Sequence, residues 1–140
     1  MTGHDAMASA ALTIEWKDEY LVGVDIIDHE HKMLFSTFND FAKAIENDLG
    51  DLIVERILIE LLEYVLMHFE HEEDIMLGRN CNPDEYGAHK AEHEGFTKRL
   101  IAIKDRFDRG DNINAPLTTF LLDLILGHTV IRDIKLGTLV

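Results

Sequence analysis

Apolar residues recur at three- and four-residue spacings in four long stretches of the chain, and turn-forming residues occupy the intervals between them. The first stripe is Ile27, Leu34, Phe35, Phe38, Phe41 and Ile45. It predicts a helix that opens near Asp25, a residue type suited to capping, and closes at Asn47-Asp48-Leu49-Gly50, with Gly50 as the left-handed residue past the end. The second runs from about Leu52 to Leu77 on Val54, Leu58, Leu61, Leu62, Val65 and Phe69, and stops at the breaker Gly78 to Pro83. The third covers about Asp84 to Asp108, with Tyr86, Phe96, Leu100, Ile103 and Phe107 inward. The fourth starts near Pro116 and carries Leu117, Phe120, Leu121, Leu124 and Ile125. No stretch alternates with the period of a strand. The expected fold is all-α: an antiparallel up-down four-helix bundle over residues 25–135, an irregular N-terminal arm over 1–24 and a short tail over 136–140. Trp16, Tyr20, Leu21 and Val24 are expected to pin the arm to the bundle.

Polar residues interrupt each stripe. His31 falls on the core face of the first helix. His68 and Glu72, four apart on the second, share a face and look inward; so do His89 and His93 on the third. His128 continues the stripe of the fourth. A lone core histidine is usually satisfied by a hydrogen bond, and a lone i, i+4 pair is a weak signal. Together they read differently. Burying several imidazoles and a carboxylate costs several kcal/mol unless they pair or coordinate a metal, and four helices giving up core positions at compatible depths call for a common partner. A metal supplies one.

The remaining polar residues are read as ordinary surface. His4 lies in the arm, and His29 and His71 fall off the stripe and are expected to be solvated. Glu30, Glu70 and Glu73 are expected to be outer-face charges, and Cys81 a bystander in a loop. His128 and Asp133 are five apart, about 140° round an ideal helix, so spacing alone makes Asp133 a surface charge unless a π-bulge intervenes.

Charge and composition narrow the partners. The net charge of −14, from 27 acidic and 13 basic residues, argues against nucleic acid and anionic lipid, which are bound through clustered Lys and Arg. Asp, Glu or His breaks every long apolar stretch, so no membrane insertion is expected. The single cysteine suits a reducing compartment, and Met1 to Ala11 lacks the basic and apolar regions of a signal peptide, so a cytoplasmic location is expected.

The ordered set His31, His68 with Glu72, His89 with His93, and His128 with Asp133 resembles the pattern of the hemerythrin family: H, HxxxE, HxxxH, HxxxxD. Glu15-Trp16-Lys17 and Gly23-Val24-Asp25 also look like the N-terminal arm of that family, and the resemblance spans roughly residues 14–135. It differs at Glu30, where Gln is usual, at Leu124, where bacterial members often carry Trp, and in a tail without the usual Tyr-Gly.

The resemblance implies two non-haem irons with an oxo or hydroxo bridge. His89, His93 and His128 would serve one iron, and His31 and His68 the other. Glu72 and Asp133 would bridge them, a role for Asp133 that spacing does not give. About twelve octahedral positions, less those filled by five imidazoles, two bridging carboxylates and the bridge, leave about one open. Dioxygen takes it in the family. The implied function is reversible dioxygen binding for transport, storage or local supply, with no catalytic residue. Alternatives are an oxygen or redox sensor, or an enzyme reducing nitric oxide or peroxide at the same irons.

Overall fold

The computed structural model describes residues 13–48 and 50–132, with side chains described as far as Thr129. A short 3-10 turn, Asp18–Tyr20, precedes helices α1 (Asp25–Glu46), α2 (Asp51–Gly78), α3 (Pro83–Asp108) and α4 (Asn114–Leu122). The last passes without a break into a π-helical segment, Asp123–Arg132. Among the described residues there is no strand, and the fold is a four-helix bundle. Helices adjacent in sequence pack side by side, and α4 with its π continuation closes against α1. Short connections between such neighbours make them antiparallel.

The helix ends follow local chemistry. Asn82 opens α3, its side chain accepting the Asp84 and Glu85 amides, with Pro83 at the first helical position. α2 and α3 close alike: beyond α2, Asn80 takes a left-handed conformation while the Cys81 amide reaches back to the Met76 carbonyl. Gly110 does the same beyond α3. Two expectations are corrected. Asp48, at φ 50°, is the left-handed residue beyond α1, whereas Gly50, at φ 85°, precedes α2 as its N-cap. α1 has Val24 at its N-cap with no side-chain cap, and Asp25 is its first helical residue.

The arm is held by polar and aromatic contacts. Asn39 exchanges two hydrogen bonds of 2.9 Å with the backbone of Ile14. Trp16 meets Tyr20 and Phe35 edge-on. Val22 is buried where Leu21 was expected, and Leu21 is 43% exposed. Asp28, buried in the first turn of α1, accepts the Val22 amide at 2.7 Å and the Gly23 amide at 3.2 Å, which ties the arm to the helix. Gly23 makes that turn at φ 87°, a region other residues enter at a cost.

Two apolar clusters divide the interior. The larger fills the end of the bundle around Phe38, Phe41, Leu58, Leu100, Leu117 and Phe120. The smaller, Val22, Val24, Ile27 and Met76, closes the opposite end, with Ile75, Cys81 and Tyr86 packed on it. The histidines interrupt the stripes between these clusters.

Candidate metal centre

His31 on α1, His68 and Glu72 on α2, His89 and His93 on α3 and His128 on the π segment are all buried. Glu72 lies at their centre. Its Oε2 is 3.2 Å from His31 Nε2, while its Oε1 is 3.1 Å from His93 Nε2 and 3.5 Å from His68 Nε2. His89 Nε2 is 4.0 Å from the same Oε1. His93 Nε2 and His128 Nε2 approach to 3.1 Å. Two sets of donor atoms result, each lying within 4.8 Å of one another: Glu72 with His89, His93 and His128, and Glu72 with His31 and His68. Glu72 belongs to both. Six of the seven sequence-derived residues thus meet at one place; Asp133 lies outside the described residues.

The outer faces of the rings set their protonation. Glu30 Oε1 is 2.9 Å from His68 Nδ1, Glu73 Oε2 is 2.8 Å from His93 Nδ1, and Glu92 Oε1 is 2.8 Å from His128 Nδ1. An ionised carboxylate only accepts, so each of these Nδ1 atoms carries the hydrogen. The lone pairs of the three rings then sit on Nε2, on the side of Glu72. Imidazoles anchored at Nδ1 and turned through Nε2 toward a shared carboxylate are the arrangement a buried metal requires. The donor set suits iron: imidazole with carboxylate, and no thiolate among the members.

These outer carboxylates escaped sequence reading. Glu30 and Glu73 were expected on the outer face, yet Glu30 is buried and Glu73 is half-buried against His93. His71, expected to be solvated, is partly covered and places Nδ1 2.6 Å from Glu30 Oε2. Burial pushes the Glu30 carboxyl up, but the hydrogen bonds and charges of His68 and His71 outweigh it and hold the group below its ordinary value. Burial raises Glu73, with Lys90 acting against it. The signal was available. Glu30, Glu73 and Glu92 each stand one residue from a core-facing residue, and about 100° round a helix turns a side chain from the core to the seam with the next helix. His29 and Glu70 are exposed as expected, Cys81 sits half-buried in its loop, and His4 lies outside the described residues.

Aromatic rings wall the cluster. Phe69 stacks on His93 at 4.0 Å between centroids, and Phe96 stands edge-on to His128 at 5.5 Å. Among the described residues no helix is long and apolar enough to cross a membrane.

A four-helix bundle whose interior gathers two histidine groups around one shared carboxylate belongs to the di-metal bundles, at their histidine-rich end. The chain matches the family model described as Hemerythrin HHE cation binding domain over residues 22–133. It is 32% identical over 124 residues to the Bacteriohemerythrin of Clostridium acetobutylicum, across 84% of this chain and 94% of that protein. To the Bacteriohemerythrin of Stenotrophomonas maltophilia it is 29% identical over 113 residues, covering 81% of this chain and 72% of the relative. The Bacteriohemerythrin of Methylococcus capsulatus is 28% identical over 115 residues, 79% of this chain and 82% of the relative. The chain belongs to the hemerythrin family and is a bacterial hemerythrin-like, non-haem di-iron domain.

Proposed function

We propose that this protein binds dioxygen reversibly at its iron pair and serves as an oxygen carrier, store or local supplier. In this reading His89, His93 and His128 hold one iron, His31 and His68 hold the other, and Glu72 and Asp133 bridge them. The observation that carries it is the position of Glu72, which belongs to both histidine groups: Oε2 meets His31, and Oε1 meets His68 on one side and His93 on the other. For Asp133 the support is the winding of the preceding segment. In a π-helix each amide bonds to the carbonyl five residues back, and the wider turn brings residues five apart closer to one face than an α-helix does. The reading of Asp133 as a bridge requires a π-type turn of this kind, and the segment up to Arg132 has one.

The iron pair supplies reversible electron exchange with dioxygen, and the chain decides what else happens there. Glu30, Glu73 and Glu92 are engaged on Nδ1 atoms, on the far side of the rings from Glu72. None is placed to deliver a proton on the Glu72 side, which general acid catalysis of O–O cleavage requires. The Phe69 and Phe96 rings pack against His93 and His128. A buried site rich in nitrogen donors favours binding and release over turnover. Stopped-flow assays with nitric oxide and with hydrogen peroxide test this: slow or absent turnover is expected, and rapid catalytic consumption of either would replace the carrier reading with an enzymatic one.

A further inference from the structure

Three threonines in the helices can be compared. Thr97 in α3 donates its hydroxyl to the His93 carbonyl at 2.9 Å, and Thr118 in α4 donates to the Asn114 carbonyl at 2.7 Å. Both use the carbonyl four residues back, the usual outlet for a threonine hydroxyl in an α-helix. Thr129, in the π segment, is 1% exposed, and its Oγ1 has no hydrogen-bond partner among the described residues. π winding pairs amides with carbonyls five back and carries the carbonyl four back away from the hydroxyl. Such an orphan costs the desolvation of a hydroxyl. Buried polar groups without a protein partner are uncommon and call for an explanation.

The position of Thr129 supplies one. Two fully buried stripes run down the last helix: Phe120, Leu124 and His128, and Leu117, Leu121, Ile125 and Thr129. The first faces α3, because Phe96 meets Phe120 at 5.9 Å and His128 at 5.5 Å. The second is therefore turned from Phe96 toward α1, the other helix against which the π segment packs. His128 belongs to one of the histidine groups that share Glu72, and Thr129 is the next residue, on the stripe turned toward α1, the helix that carries His31. An apolar stripe ends there in a hydroxyl.

We infer that Thr129 is a ligand-recognition residue, whose buried hydroxyl donates a hydrogen bond to the acceptor atom of a small ligand held at the iron pair on its His31 side. The inference rests on the di-iron reading and adds to it a preference for ligands with an exposed lone pair or negative charge, such as azide or a reduced oxygen species. A purely apolar pocket does not discriminate in this way.

Thr129→Val, Thr129→Ala and Thr129→Ser test it, with iron content, azide titration of the oxidised protein by absorbance, and melting of the apoprotein as readouts. The serine variant keeps the donor; valine and alanine remove it. Loss of one net hydrogen bond weakens azide by roughly three- to tenfold in the valine and alanine variants, while serine stays within about twofold of wild type. Without iron or azide, the valine apoprotein melts no lower than wild type, because an unpaired hydroxyl contributes nothing to the apo fold. If valine loses iron, alanine against serine carries the comparison. Wild-type azide affinity in loaded hydroxyl-less variants would overturn the role of Thr129 alone. A valine apoprotein that melts below both serine and wild type would also overturn it, by showing a partner for the hydroxyl within the protein. Wild-type protein without an iron pair would overturn the di-iron reading and this inference together.

Discussion

Glu30, carried by α1, places Oε1 2.9 Å from Nδ1 of His68 on α2, and so fixes the ring from the side opposite Glu72. Losing a hydrogen-bond partner of this kind commonly lowers metal affinity by about 10- to 100-fold. Glu30→Ala is expected to lose iron affinity within that range in a chelator competition. Glu30→Gln keeps an oxygen acceptor and is expected to lose less. The exposed Glu70 provides the control: Glu70→Ala should compete like wild type.

Asp133→Ala separates the bridge from the surface charge. As a bridging ligand its removal takes one negative charge and two coordination positions from the centre, and the variant is expected to lose iron and reversible oxygenation. A surface residue would cost within about half a kcal/mol and leave both intact. Arg132→Ala changes charge one position away and is expected to behave like wild type in metal analysis and oxygen titration.

Metal removal should destabilise the fold. Without iron, five imidazoles and the Glu72 carboxylate face one another in the interior, and metal binding to such a set is folding free energy. Calorimetry is expected to give a lower Tm for the apoprotein, with the loss centred on α2 and the π segment by hydrogen exchange. Equal melting of the two forms would count against these residues holding the metal.

Asp28 tests the arm separately from the centre. Asp28→Ala leaves the Val22 and Gly23 amides without their acceptor, the first of them buried. A cost of about 1–3 kcal/mol in urea unfolding is expected, with iron content unchanged at the first approximation because Asp28 does not touch the histidine groups.

Much of this centre was readable from spacing because α-helical periodicity is local. His68 with Glu72 and His89 with His93 are one turn apart, and four residues suffice to place each pair on one face. The winding of the last helix was not readable in that way: no local residue signals that Asp123–Arg132 adopts π winding, and Asp133, whose bridging role the resemblance alone implies, lies outside the described residues. Glu30, Glu73 and His71 were misread for a different reason. Their partners lie on neighbouring helices, 20 to 41 positions away in the chain, and a single-helix face rule is blind to contacts across a seam. The short-range misreadings at Gly50 and Leu21 are of a third kind: the residue that takes the role stands one or two positions away, Asp48 for the left-handed turn and Val22 for the buried anchor.

The most direct measurement is an oxygen titration of the reduced, iron-loaded protein followed by visible absorption, then purged with inert gas. The expected result is a band that grows to saturation at one dioxygen for each pair of irons and disappears on purging, over repeated cycles. Elemental analysis of the same sample should give two irons for each chain. A spectrum unmoved by dioxygen, one that changes once and does not return, or a chain holding a single zinc in place of iron would contradict reversible dioxygen binding at a di-iron centre.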